Sequence, residues 1–376
     1  MTAIGGIFNM DGACCDGETL VKMSRGMLSR GREEREAAVF EGGGLFWSCD
    51  RDERVLAELG ERMLVCDGCV TCGTGDVGAR FFGESDAELC LDALGGQGMS
   101  FFECLRGEYA IAAYDRRKKE LILLRDGMGA RPLYYARKGN SVGFASEIKG
   151  LLPFLDSPAA VLRERLCAQI LSRGGQYNGA ELFRDIRQVP KGGGCVISRL
   201  GIAPFEYAAC RNDTETDEDS GRLSSELACP DEEGLFHMLC EILYAFDYPE
   251  FDCLMPCFLR DIRRARECGG VVVDGSLCCD IGYSVERRDR LSVLAGYRPR
   301  CVPPKTYTVK DRELRKMERI MSAVLAETDR NTLEYLLGRN IEREIKGEGN
   351  IARRIRYMGM AVQSVIWYER REIAFI

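Results

Sequence analysis

Histidine and tryptophan are scarce in this chain: one histidine, His237, and two tryptophans occur among 376 residues. A lone histidine excludes a histidine-built metal centre and leaves few ways to assemble a Ser–His or Cys–His nucleophile pair. His237 sits in the apolar, helix-like segment Leu235–Leu239, where a packed or half-exposed side chain is expected rather than a catalytic one. Long apolar runs are missing too. None approaches the roughly 18 residues of a membrane span, so no membrane association is expected. An excess of basic charge is also lacking, with 52 Lys and Arg against 59 Asp and Glu and a net charge of -7. That is the reverse of the basic footprint of a nucleic-acid binder. Met1-Thr2-Ala3-Ile4 opens directly on apolar sequence without a basic leader, the expectation for a cytoplasmic protein.

Cysteine, by contrast, is abundant, at 19 residues. Without a secretory signal, reduced thiols are expected rather than a disulfide frame. The most ordered stretch runs from 105 to 152. Tyr109–Tyr114 and Leu121–Leu124 are apolar runs too short for helices, and Asp115-Arg-Arg-Lys-Lys119 between them reads as a solvated hairpin turn. A Gly/Pro-punctuated loop, a further strand and a helix start at Ser146-Glu147 follow. Continuously apolar strands are buried on both faces and belong in a layered domain covered by helices.

Within this stretch, Leu105-Arg-Gly-Glu-Tyr-Ala-Ile-Ala-Ala-Tyr-Asp115, Arg125-Asp-Gly-Met-Gly-Ala-Arg131-Pro-Leu-Tyr-Tyr135 and Phe144-Ala-Ser-Glu-Ile-Lys149 stand in order and at matching spacing. They resemble the glutaminase domain of the glutamine-dependent asparagine synthetases. The resemblance continues to Glu181–Ser198 and covers residues 1 to about 208. It implies an α/β (α+β) fold: a four-layer α/β/β/α domain of the N-terminal-nucleophile hydrolase type over 1–208. An acidic linker at 209–232 and a shortened α/β synthetase remnant finished by helices at 233–376 complete the chain.

The same resemblance assigns positions in the site. The family opens with a cysteine that becomes the N-terminal nucleophile once the initiator Met is removed, its own α-amino group serving as base. Here that position is Thr2. Two readings stay open: loss of the activity with the cysteine, or a Thr2-dependent amidohydrolase acting on a small amide. The family's oxyanion-binding Asn-Gly falls on Asp67-Gly68, and an ionised Asp67 accepts hydrogen bonds without donating them. The family aspartate that holds the substrate amino group is retained as Asp86. The arginine that clamps the substrate carboxylate has no counterpart in register; Arg51, two residues away, is the nearest substitute. Cys66, Cys69 and Cys72 form a C-x2-C-x2-C run in place of a family strand and loop. It lacks the second pair of a zinc site, and a cluster's fourth thiolate would have to come from Cys49 or Cys90; packing thiols are expected there rather than a metal.

The synthetase half departs further. The pyrophosphate-cradling S-G-G-x-D-S loop of the family is absent, and the strand-end motif has become Asp274-Gly-Ser-Leu-Cys-Cys-Asp280. ATP and magnesium binding are therefore not expected, nor any other cofactor. The C-terminal helices are expected to pack on the remnant, or else to dock a protein partner or a second copy.

Overall fold

A computed structural model describes residues 2–31, 34–50, 54–72, 85–155, 159–171, 179–207, 224–226, 231–251, 255–268, 272–273, 290–291, 293, 301–302, 306–308, 311–337, 350–369 and 373–375. The chain forms two compact units, one of residues 1–157 with 185–213 and one of 158–184 with 214–376. Residues 158–184, which the sequence reading includes in its first domain, share their contacts with the second unit.

The first unit holds two six-stranded antiparallel sheets. One has the order β11-β8-β9-β1-β3-β2, built from β1 (Ala3–Asn9), β2 (Glu34–Phe40), β3 (Gly43–Cys49), β8 (Tyr134–Lys138), β9 (Ser141–Ala145) and β11 (Ile186–Gln188). The other has the order β13-β12-β7-β6-β5-β4, built from β4 (Leu56–Leu59), β5 (Arg62–Cys72), β6 (Leu105–Asp115), β7 (Glu120–Arg125), β12 (Gly193–Ser198) and β13 (Gly201–Glu206).

The alternation of β6 explains the layering. Ala110, Ala112 and Tyr114 join Ile4, Phe8, Leu45 and Phe144 of the first sheet in one core. Tyr109, Ile111 and Ala113, on the opposite face, join Ala87, Cys90 and Leu91 of α2 (Asp86–Gln97). A strand covered on both sides has no reason to alternate apolar with polar residues, and this one does not. On the outer face of the first sheet lie α1 (Gly17–Gly26) and the short α3 (Ile148–Leu151), with Leu20 of α1 against Gly44 of β3. The layers therefore run α/β/β/α, as expected.

The second unit is mainly helical where described. A short strand, β10 (Ala159–Val161), pairs in parallel with Ile373–Phe375 and leads into α4 (Arg163–Leu171). Four longer helices follow: α5 (Glu232–Phe246), α6 (Met255–Cys268), α7 (Asp311–Glu327) and α8 (Ile351–Glu369). Leu314, Met317, Met321 and Leu325 of α7 are buried, and α7 packs along α8, where Arg354 pairs with Glu318 at 2.8 Å. His237 is an exposed side chain on α5, 3.6 Å from Glu241. Most of the acidic linker and the Asp274–Asp280 turn lie outside the described residues. No helix among the described residues is long and apolar enough to cross a membrane.

Candidate functional site

The site lies in the first unit, where the start of β1 meets β5 of the facing sheet. Thr2 directly precedes β1, a central strand bonded to β3 on one side and β9 on the other. Its position is fixed by the next residues: Ile4 N–H donates to Ser146 Oγ at 3.0 Å, and Ser146 N–H donates to Ile4 O at 2.9 Å. Opposite stands Asp67, mid-strand in β5 and fully buried. The Thr2 hydroxyl donates to Asp67 Oδ1. Thr2 and Asp67, which the resemblance places at the nucleophile and oxyanion positions, therefore touch.

A carboxylate at zero exposure needs compensation. Two arginines supply it. Arg30 Nη1 lies 3.3 Å from Asp67 Oδ2, and Arg131 Nη1 lies 3.6 Å from Asp67 Oδ1. Ser146 Oγ is 3.5 Å from Asp67 Oδ2. Arg30 is itself fully buried and bridges to a second carboxylate, its Nε donating to Glu147 Oε1 at 2.9 Å. Lys149 Nζ stands 2.6 Å from Glu147 Oε2. Among the described residues, Arg30, Arg131 and Lys149 thus stand beside the two buried carboxylates.

Local backbone explains how Arg30 arrives there. After α1 the chain turns through Gly31 at φ +57°, and a Cβ at that position would stand 2.2 Å from the Ser48 carbonyl carbon. Only glycine permits that approach. Ser48 Oγ then donates to Arg30 O at 3.0 Å and fixes the turn against β3. Gly68, next to Asp67, has φ +130°, and a Cβ there would lie 2.0 Å from Glu108 O on the neighbouring strand.

Asp86 is the first residue of α2, behind the N-cap Ser85, whose Oγ accepts from Glu88 N–H at 3.2 Å. Its Oδ2 accepts from Val70 N–H at 3.0 Å, which ties α2 to β5 two residues past Gly68. Thr2, Asp67, Gly68 and Asp86 are therefore gathered along β5 and the start of β1. Arg51 lies outside the described residues.

The cysteine run lies on the same strand. Cys66 is buried on the α2 side and Cys69 is exposed; Cys72 ends the strand. Burial, and after it the neighbouring Cys90 and Asp67, push the Cys66 thiol well above its ordinary value. Burial and then Asp86 raise that of Cys69. Among the described residues no group of three or more His, Cys, Asp or Glu is placed to hold a metal ion.

Four residues of this site carried no assignment from sequence: Arg30, Arg131, Ser146 and Glu147. Their signal was a set of charged and hydroxyl residues inside otherwise apolar or glycine-rich motifs. Arg131 in particular brings a guanidinium to the oxygen that accepts the Thr2 hydroxyl.

Residues 74–208 match the family model described as a glutamine amidotransferase domain; Thr2 and Asp67 precede the matched segment. The chain is 28% identical over 141 residues to asparagine synthetase [glutamine-hydrolyzing] 3 of Bacillus subtilis (strain 168), covering 37% of this chain and 23% of that protein. It is 39% identical over 75 residues to amidase chry2 of Gibberella zeae, covering 20% of this chain and 11% of that one. The chain thus spans less than a quarter of the length of either relative. A solved glutamine phosphoribosylpyrophosphate amidotransferase from B. subtilis aligns at TM-score 0.39 and 14% identity over 83% of this chain and 67% of that one.

Proposed function

From the premise that this chain carries an asparagine synthetase-like glutamine amidotransferase domain, we propose that it is a non-hydrolysing protein of that descent. In this reading it acts by binding, as a regulatory partner, rather than by releasing ammonia from glutamine. One observation carries the proposal: the Asp67 carboxylate, at the position that the resemblance gives to oxyanion binding, engages the Thr2 hydroxyl.

Amide hydrolysis needs hydrogen-bond donors where negative charge develops on the attacked carbonyl. A carboxylate offers only acceptors. At about 4 Å and an effective dielectric near 20, it opposes a developing oxyanion by about 4 kcal/mol, or about a thousandfold in rate, before any screening by the arginines. Arg30 and Arg131 do not reverse this, because Asp67 itself engages them. With Met1 attached, Thr2 is buried, at 7% exposure. The absent pyrophosphate loop argues in the same direction for ATP-dependent amidation by this chain's own residues; an amidation reaction would need a partner subunit to supply that half.

A second reading has one observation in its favour. A hydroxyl bonded to a carboxylate resembles an activated nucleophile, and a chain processed at Met1 would add an α-amino base at Thr2. In that reading Thr2 attacks a small amide, Gly68 and Asp86 position it, and Asp67 must yield its place to the oxyanion. Reaction with an electrophilic glutamine analogue separates the two. Intact mass of protein with Met1 removed should show no adduct; a stoichiometric adduct that Thr2→Ala abolishes would establish the hydrolase.

A further inference from the structure

We propose that β2 is an open docking edge, and that its occupant is the β2 strand of a second copy of this chain. The two strands pair antiparallel across a two-fold axis and join the copies in one continuous sheet. This surface is distinct from the Thr2 site, and the proposal stands whether or not that site hydrolyses an amide.

Two sheets have four edges, and three of them are guarded. β11 and β4 are short, at three and four residues. β13 carries Pro204, which has no N–H to offer a neighbour. β2 is seven residues long and contains neither proline nor lysine, the usual guards of an exposed edge. It pairs with β3 along its whole length, and among the described residues no strand pairs with its outer edge. The side chains point the same way. Ala38 and Phe40 turn toward the core between the sheets, where Phe40 stacks on Tyr114 with ring centroids 4.1 Å apart. Ala37 and Val39 turn to the other face and are exposed, Val39 at 63%. A solvated face of an antiparallel sheet ordinarily carries polar residues. Here two apolar side chains occupy successive positions of that face, beside an open edge.

Register and charge select the occupant. A two-fold axis normal to the sheet keeps each side chain on its own face, so odd-numbered residues meet odd and even meet even. Centred on Glu36, the axis would set two Glu36 carboxylates against each other, which is unfavourable. Centred on Ala37, it would set Arg35 against Val39 of the other copy. Centred on Ala38, it sets Val39 against Ala37 and Arg35 against Glu41, just past the strand end, and each pair occurs twice. That register covers the exposed apolar residues and opposes unlike charges. Arg35 is already held in place, donating to Ser24 O at 2.9 Å and Gly31 O at 3.4 Å. Glu41 lies at the rim, where its ion pair with Lys119 is exposed and weak. An edge complementary to itself in both shape and charge favours a second copy over an unrelated strand.

Sedimentation velocity of the full chain across protein concentration is the test, with amide hydrogen exchange over residues 34–42 as a second reading. One strand edge supports a weak dimer, with a dissociation constant expected at about 1–100 μM. The wild type should pass reversibly from monomer to dimer over that range, and the amides of 36–40 should gain protection as it does. Val39→Lys and Glu41→Lys should each weaken the dimer about tenfold, and high salt should return part of the Glu41→Lys loss. Both positions are exposed, so the circular dichroism of the monomers should match the wild type. Leu200→Lys, at the exposed turn between β12 and β13, should leave the dimer unchanged. A wild type that stays monomeric to about 200 μM overturns the proposal and leaves the edge to a strand of another protein. A dimer indifferent to Val39→Lys, or one whose 36–40 amides gain no protection, overturns it as well.

Discussion

Replacing Arg30 with methionine removes a cation that spans both buried carboxylates. Its Nε lies 2.9 Å from Glu147 and its Nη1 3.3 Å from Asp67, at zero exposure. Methionine fills most of the aliphatic volume, so the loss is chiefly electrostatic. Breaking a buried ion pair by removing one partner costs about 3–5 kcal/mol, because the other charge stays buried. Arg131 and Lys149 remain, which places the expectation at about 3 kcal/mol rather than above it. Against a total stability of about 5–15 kcal/mol, that is a large fraction. For a unit of this size it lowers the midpoint by roughly 6–12 °C. Trp47, buried in β3, reports the first unit; Trp367→Phe as background removes the only other tryptophan, so fluorescence in urea follows that unit alone. Asp67→Asn in the same chain should return about 1–3 kcal/mol of the loss, since the stranded charge is then gone. A cost below about 1 kcal/mol for Arg30→Met, or no recovery in the double variant, would refute the claim that this cluster is a tightly coupled buried network.

Three further outcomes follow from the same geometry. Gly68→Ala should cost about 2 kcal/mol or more and raise amide hydrogen exchange along β5 and β6, because φ +130° and the Glu108 carbonyl at 2.0 Å leave no place for a Cβ; exchange unchanged from wild type would contradict it. Ser85→Ala removes the N-cap of α2 and should lower urea stability by about 1 kcal/mol, and Ser85→Asp should restore it. Burial raises the Asp115 carboxyl, but the Lys118 N–H and the Arg62 guanidinium at 3.0 Å outweigh it, and the net shift is downward. Its contribution to stability is therefore present above the ordinary carboxylate range and lost as pH falls through the lowered folded value. Asp115→Asn should flatten the acid limb of a pH–stability curve and leave the neutral region's slope unchanged.

Much of the first unit was legible in the sequence because its strands are of the kind that announce themselves. Tyr109–Tyr114 and Leu121–Leu124 are continuous apolar runs, and the charged turn between them is the hairpin observed between β6 and β7. The expected site positions could be placed along the chain by resemblance, and their charge environment could not. Thr2, Asp67, Gly68 and Asp86 could each be located along the chain, but nothing in local spacing says that Arg30, 37 residues before Asp67, reaches it. That pairing depends on the Gly31 turn and on two sheets facing each other, which are tertiary facts. The second unit was legible mainly in its helices: the spacing of Met317, Met321 and Leu325 gives the buried face of α7. Its division from the first unit was not, because residues 158–184 lie inside the stretch that resembles the amidotransferases while sharing contacts with a later part of the chain.

The central claim is that a carboxylate at the oxyanion position leaves Thr2 without glutaminase activity. Ammonia release from glutamine and asparagine, measured on protein whose mass shows Met1 removed and beside Thr2→Ala, tests it most directly. The account predicts release no greater than that of Thr2→Ala for either amide. Release that is catalytic in the wild type and vanishes in Thr2→Ala would contradict it and make the protein a threonine-dependent amidohydrolase.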